Sequence, residues 1–308
     1  MAVTNGWGQG VENNTIEWGK GKDNATNDWG KVYETSASGD TLLEVATPPA
    51  PSFSNTKSVD FDGVDDFVDC GDNDNLSFGN ATTDSPFTFS LWAKVDDLNT
   101  AHILIEKQNS SNDNEYIFYI GSDGAIYNNI YSNGVTLNRR GRKTSTSLIS
   151  INTWHHIVMT YDGQGGNNAS DGIKIYLDNV RVDNANNQKN TYVAMKNTSN
   201  PFKIGEFIGG NIDEVAVFNT ELSASDVTAI YNSGEPASLS SYSSLVSWWR
   251  MGDNDTFPTL TDNGSGGNNG TMTNMVAGDI VADVPPTFNK FSIDFDGVDD
   301  SCEIGNPA

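Results

Sequence analysis

Disulfide-forming residues, long apolar runs and basic side chains are all scarce in this chain. Two cysteines, Cys70 and Cys302, stand among 308 residues, too few for a disulfide framework. No stretch approaches the ~18 consecutive apolar residues of a bilayer span, so no membrane insertion is expected. The opening MAVTNGWGQG has neither a basic stretch nor an apolar core, and a secretory signal is not expected there. Lysine and arginine number 17 against 41 aspartates and glutamates, a formal net charge of −24. A phosphate backbone is repelled by such a surface, which argues against nucleic acid as a partner. The same acidity serves solubility, and it supplies the carboxylate oxygens that Ca²⁺ takes as ligands. Strong helix formers are sparse while Gly, Asn, Asp, Ser and Thr abound, so many short strands and long polar loops are expected.

What is present is repetitive. Residues 1–31 contain GWGQGVENNT, EWGKGKDNAT and DWGK, with Trp7, Trp18 and Trp29 spaced by eleven. A unit this short does not bury a Trp alone. The segment reads either as a linker with incidental Trp or as an arm that docks its indoles on a neighbouring subunit or partner protein, large aromatics being common anchors of such contacts. We carry the second reading forward. TPPAPS (Thr47–Ser52) reads as a stiff proline linker, so residues 1–51 form an arm and linker. A second repeat joins the two ends of the remainder: DFDGVDD occurs in Ser58–Asn73 and again in Ser292–Asn306.

Between these copies the pattern is that of strands. In FTFSLWAKV, Phe87, Phe89, Leu91, Ala93 and Val95 share one face and Thr88, Ser90, Trp92 and Lys94 the other. EYIFYIGSDGAIY predicts two strands around a Ser-Asp-Gly turn, and TWHHIVMTYD (Thr153–Asp162) predicts another. GIKIYLDNVRV predicts a hairpin turning at Asp178-Asn179, and PFKIGE and GNIDEVAVFN follow. One short helix is legible, with Ser223 as N-cap, Asp226 reaching back to it, an apolar stripe of Val227, Ile230 and Tyr231, and Gly234 as its stop.

Taken in order, FDGVDDFVDCG, FTFSLWAKV, WHHIVMTYDG, IKIYLDNVRV, IGEFIGGNIDEVAVFNTELSASDVTAIYNSG and LVSWWRMGD with GSGGNNGTMTN resemble the successive strands of a LamG-like domain of the concanavalin A-like lectin/glucanase superfamily. The resemblance covers most of residues 52–280. It implies an all-β jelly-roll sandwich of two antiparallel sheets with one short helix, here behind an extended N-terminal arm. One departure matters. In the family the LVxWWRM strand and its Gly/Asn loop precede FDGVDD, whereas here they follow the whole sandwich, at 245–273. We therefore expect residues 245–280 to fold back and supply the opening strand of one jelly roll spanning 52–283, in circularly permuted order, because domain termini tend to lie close together. Residues 284–308 then form a tail whose second FDGVDD strand is free to pair along a sheet edge. The other reading, a truncated second domain over 245–308, has few residues from which to build a core.

The superfamily includes glycoside hydrolases, whose carboxylates follow E-x-D-x-x-E or E-x-D-x-E, and neither pattern occurs here. Asp213 and Glu214 are adjacent and point to opposite faces of a regular strand, so they do not make such a pair, and no enzymatic activity is expected. Related jelly rolls place an Asp like Asp213 at a structural Ca²⁺ site beside the Gly/Asn-rich loop. The resemblance thus implies Asp213, Asp262 and Asn269 as ligands, with carbonyls around Gly264–Gly267; the alternative is an Asp held by backbone N–H groups. Asp62, Asp65 and Asp66 form a second acidic cluster, read either as caps of a tight turn or as Ca²⁺ ligands. His155-His156 reads as packing or hydrogen bonding, since the two side chains face opposite ways on a strand. NRRGRK (Asn138–Lys143) is the one basic cluster and reads as a solvated loop tip or as a contact for an acidic neighbour. Trp92, Tyr116, Tyr119, Tyr127 and Tyr131 are available for sugar stacking, although alternation sends about half of them to the core.

The Trp-Gly arm, the acidity and the phase-shifted module resemble structural proteins of marine tailed bacteriophages. That resemblance implies a virion protein assembled in the host cytoplasm (a capsid decoration, fibre or tail-associated component). Its expected partners are other virion proteins, copies of itself and host-surface glycans. The alternatives are a free-standing Ca²⁺-dependent lectin module and a bacterial surface adhesin.

Overall fold

The computed structural model describes residues 53–109, 113–134 and 138–286, with the backbone of four short strands before them. The side chains of Trp7, Trp18 and Trp29, and the second DFDGVDD copy, lie outside the described residues. The chain divides into two units, Met1–Ser54 and Asn55–Ala308. In the first, Gln9–Glu12 pairs with Thr15–Trp18 and Tyr33–Glu34 with Asp40–Thr41, both antiparallel.

The second unit is a sandwich of two antiparallel sheets. One has eight strands, running Val180–Arg181, Ile173–Leu177, His155–Tyr161, Phe87–Val95, Gly209–Phe218, Ser58–Asp62 and Ile280–Val281, with Leu245–Trp249 also on Gly209–Phe218. The other has nine, running Asp183–Asn186, Arg139–Thr144, Ile126–Gly134, Asn114–Ile120, His102–Lys107, Lys203–Ile204, Phe67–Asp69, Gly270–Thr273 and Thr259–Leu260. Alternation decides what lies between them. Phe87, Phe89, Leu91, Ala93 and Val95 all enter the core, where they meet Tyr116, Phe118 and Ile120 from the opposite sheet. Phe78 and Phe87 stack at 4.3 Å, and Phe89 and Tyr116 lie 5.2 Å apart. Each such ring withdraws enough apolar surface to stabilise the fold by roughly 1.5–3 kcal/mol.

The segment after residue 244 is woven into both sheets. Val215–Val217 pair with Ser247–Trp249 in one, and Phe67–Asp69 pair with Thr271–Thr273 in the other. Ile280–Val281 then closes the edge beside Ser58–Val59. Ser58–Asp62 and Leu245–Trp249 lie end to end along one edge of Gly209–Phe218, the first against residues 209–212 and the second against 215–218. Asp213 and Glu214 fall at the join.

Two local readings change. The helix, Ala224–Tyr231, has the expected Ser223–Asp226 capping box but ends before Gly234: Asn232 takes the left-handed C-cap at φ 47° and donates to the Thr228 carbonyl. Asn tolerates that conformation through its short polar side chain. The basic stretch is a strand rather than a loop tip, because Arg139–Lys143 pairs in full register with Tyr127–Tyr131. Gly141 makes this possible, since a Cβ there would sit 2.2 Å from the Asn128 carbonyl oxygen and 2.4 Å from Asn129 Oδ1.

Candidate functional site

The face of the nine-stranded sheet turned away from the core carries an unusual set of side chains. Register fixes its membership, because directly opposed residues in antiparallel strands share a face. Tyr127 opposes Tyr119 on one side and Lys143 on the other; Tyr131 opposes Arg139; Asn129 opposes Ile117 and Gly141. The alternate residues Ile126, Ile130, Tyr116 and Phe118 belong to the core.

Tyr119 and Tyr127 are half-buried and stack with ring centroids 4.8 Å apart and planes 6° from parallel. Asn129 hydrogen-bonds the phenols of Tyr119 and Tyr131 and accepts a 2.9 Å bond from Asn187 Nδ2. The Tyr127 hydroxyl donates to Asp123 at 2.8 Å. Burial raises the phenol pKa of Tyr131 to about 12, and burial with the Asp123 contact raises that of Tyr127 to about 12. All three tyrosines therefore stay neutral, able to offer a flat apolar ring and a polar edge together.

Further along the same face, Glu106 opposes Lys203 and Ile117. Lys203 lies 2.9 Å from Glu206 and 4.6 Å from the Phe67 ring centroid. Glu106 and Glu206 hydrogen-bond each other; burial and that contact lift Glu106 to about 8, so Glu106 holds the shared proton at neutral pH. Charges in this part of the face are mutually satisfied.

A second concentration of charge sits at the Asp213–Glu214 join. Glu214 adopts φ 49° and the pairing with Phe87–Val95 shifts register between Asp213 and Ala216, so the two acids depart from strict alternation and both are buried. Asp213 accepts from Asn55 Nδ2 at 2.7 Å and from the Glu214 N–H at 2.8 Å. Glu214 accepts from Trp248 Nε1 at 2.5 Å and meets Arg250, whose other nitrogen reaches Asp253 at 2.8 Å. Asp253 in turn takes the Thr56 N–H and hydroxyl. Burial, reinforced by Glu214, pushes Asp213 well above the usual carboxylate range; burial opposed by Arg250 leaves Glu214 at about 7.

A sequence-family comparison matches residues 63–228, more than half of the chain, to the concanavalin A-like lectin/glucanases superfamily. The chain belongs to that superfamily. Solved structures resembling this superfamily member include a putative carbohydrate binding protein from Bacteroides ovatus (17% identity, 77% of this chain and 63% of that one, TM-score 0.49). Others are the CBM40 of a Ruminococcus gnavus IT-sialidase bound to α2,3 sialyllactose (11%, 49% and 84%, TM-score 0.36) and a heptameric SAP-like pentraxin from Limulus polyphemus (15%, 55% and 83%, TM-score 0.33). No curated protein matches the chain.

The superfamily's implied calcium ligands separate into different hydrogen-bonded groups. Asp262 caps its own loop, taking the N–H groups of Trp248, Gly264 and Asn268 on its two oxygens, and Asn269 Oδ1 accepts the Asp262 N–H. Asp213 bonds with Asn55 and Glu214 instead. Asp213 and Asp262 are thus held by separate sets of donors. The Asp62, Asp65 and Asp66 oxygens do converge, all within 4.8 Å of one another. Asp62 Oδ1 takes the Val64 and Asp65 N–H groups and Asp66 Oδ2 takes the Asp62 N–H, as turn caps do, while burial and neighbouring carboxylates raise Asp66.

Of the five aromatics considered for stacking, Tyr119, Tyr127 and Tyr131 share the outer face. Tyr116 is in the core, and Trp92 stacks beneath the helix with His156 and Tyr231. His155 bonds Asp178 at 2.8 Å and His156 bonds Ser90 at 2.9 Å, so both histidines are structural. The basic stretch was the missed part of the face. Its alternation Arg139, Gly141, Lys143 is visible in the sequence only once a strand is assumed.

Proposed function

We propose that this chain is a non-enzymatic glycan-binding jelly roll displayed by a virion, with its Trp-Gly arm as the anchor. The observation that supports glycan binding is the stacked Tyr119–Tyr127 pair on an outward sheet face, flanked by the hydrogen-bonding groups of Asn129, Tyr131 and Arg139. Sugar rings present an apolar C–H face and a polar rim, and this arrangement offers a partner to each. A carboxyl pair does lie on the same face, but Glu106 and Glu206 bond each other directly. Glycoside hydrolysis needs its carboxyls ~5 Å or more apart, with the scissile bond between them.

A glycan array probed with the full chain tests this reading. Tyr127→Ala and Tyr119→Ala are expected to weaken any bound glycan at least tenfold with unchanged melting. Binding that survives both substitutions rejects the face, and release of reducing ends from a bound polysaccharide rejects the non-enzymatic part.

The virion role belongs to the same proposal and is supported by the eleven-residue Trp repeat and the separation of Met1–Ser54 as its own unit. Its partners are then other virion proteins and further copies of the chain, met in the host cytoplasm during assembly. Light scattering on the full chain and on the Trp7, Trp18 and Trp29→Ala variant tests the arm: self-assembly lost with the indoles supports it, and identical mass distributions count against self-association through it. Calcium, as a structural ion, is proposed at the Asp62–Asp65–Asp66 turn.

A further inference from the structure

The cations beside the Tyr119–Tyr127 stack differ from Lys203 further along the face in meeting no carboxylate among the described residues, in a chain of net charge −24. Elsewhere on the domain, Lys94, Lys107, Lys174, Arg181 and Lys203 each meet a carboxylate. Among the described residues, Arg139 and Lys143 do not. The Arg139 guanidinium donates to Asn187 Oδ1 at 3.1 Å, while its Nε hydrogen finds no acceptor. Lys143 Nζ lies 5.7 Å from the centroid of the Tyr127 ring. Lys189 is brought alongside by a reciprocal backbone pair with Arg139, each N–H donating to the other's carbonyl at 3.0 Å, so its exposed side chain joins the same face. Ala185 opposes Lys143, and Gly141, between Arg139 and Lys143, lies against the Asn129 side chain that Asn187 holds.

A guanidinium whose bonding partner is a neutral amide gains from an oxyanion, because charge-assisted hydrogen bonds are the stronger ones. Resting on the glycan-binding reading above, we infer that the ligand of this face is an acidic sugar. A pyranose ring packs against the outward edge of the Tyr119–Tyr127 stack, and its carboxylate is held by Arg139 with Lys143 and Lys189 around it. The chemistry is that of a sugar carboxylate, met in sialic acids and in hexuronic acids. Charge complementarity selects it over a neutral sugar: on an acidic domain an anion is drawn to cations that no carboxylate neutralises.

Titration calorimetry on the full chain, at low and at high salt, tests this with 3′-sialyllactose, an oligogalacturonate, its methyl ester and lactose. Binding of one carboxylated sugar at least tenfold tighter than its neutral counterpart, weakened in 1 M NaCl, is expected, and whichever of the two binds identifies the source of the carboxylate. Arg139→Gln and, separately, Lys143→Gln are expected to remove that preference while the melting temperature stays within a few degrees. Lys143 is half-exposed and unbonded to any acid, so its substitution tests the charge even if Arg139→Gln perturbs the strand. Equal binding of ester and acid, lost in Tyr127→Ala, overturns the acidic-sugar inference but keeps the glycan face. Absence of binding to either carboxylated sugar also overturns the inference, and absence of any glycan on the array removes the underlying reading as well.

Discussion

Lys107 and Glu115 meet at 2.8 Å with neither side chain exposed to solvent. Two residues of one antiparallel hairpin thus place a full ion pair inside the sandwich. Asp72 at 2.8 Å and the Thr198 carbonyl at 3.0 Å complete the three acceptors of the ammonium. The Thr198 N–H and hydroxyl hold Glu115 from the other side. A buried pair of this kind is worth little against an apolar substitute, yet breaking it leaves one charge stranded. Lys107→Met is expected to cost about 3–5 kcal/mol in urea unfolding, and Lys107→Met with Glu115→Leu to recover much of that loss. A single substitution costing under 1 kcal/mol contradicts the pairing.

His156 sets an acid-side limit. Burial lowers its pKa to about 4, below the ordinary 6.5. The unfolded chain therefore gains this proton as pH falls below 6.5, and the folded chain only near 4. Stability from this group is complete above pH 6.5 and is lost progressively down to about 4, by up to about 3 kcal/mol. Thermal melts between pH 7 and 4.5 are expected to show the fall, and His156→Phe to remove its share; identical pH slopes in both proteins rule out the assignment.

Glu214 and Glu106 act in the opposite direction. Their folded values, about 7 and about 8, lie above the ordinary 4.5. Each favours the fold fully below pH 4.5 and loses that contribution as pH rises through its folded value. Glu106→Gln is expected to flatten the decline of melting temperature between pH 5 and 8, since an amide keeps a hydrogen bond to Glu206 without a second charge. An unaltered decline would falsify the shared proton.

Gly141 is required by closeness rather than by a turn. A methyl group 2.2 Å from the Asn128 carbonyl oxygen forces two paired strands apart. Gly141→Ala is expected to destabilise by about 1–3 kcal/mol, and to weaken glycan binding by displacing Asn129 from Asn187. Wild-type melting and affinity in this variant count against the packed face.

Calcium at the Asp62–Asp65–Asp66 turn predicts a melting temperature a few degrees higher in millimolar Ca²⁺ than in EDTA, with the difference abolished in Asp65→Asn. Equal melts with and without the ion leave these carboxylates as turn caps alone.

Local pattern alone determined a large part of this protein. Strict alternation in Phe87–Val95 assigned five side chains to the core, because consecutive strand residues face opposite ways. The Ser223–Asp226 spacing placed the start of the helix, because a capping box is satisfied within four residues. The positive φ of Asp178 and Asn179 meets a tight hairpin demand that their short polar side chains announce. Tertiary structure decided the rest. Whether Asp213 and Glu214 sit apart or share a buried network depends on two strands meeting end to end beside them, residues 58–62 and 245–249, far apart in the chain. Whether the basic stretch Arg139–Lys143 is a loop or a strand of the outward face depends on its partner strand and on the close approach that Gly141 permits. Charge neutralisation is likewise a matter of distance: sequence counts the cations, but only folding leaves Arg139 and Lys143 beside two tyrosines and away from every carboxylate that satisfies the others.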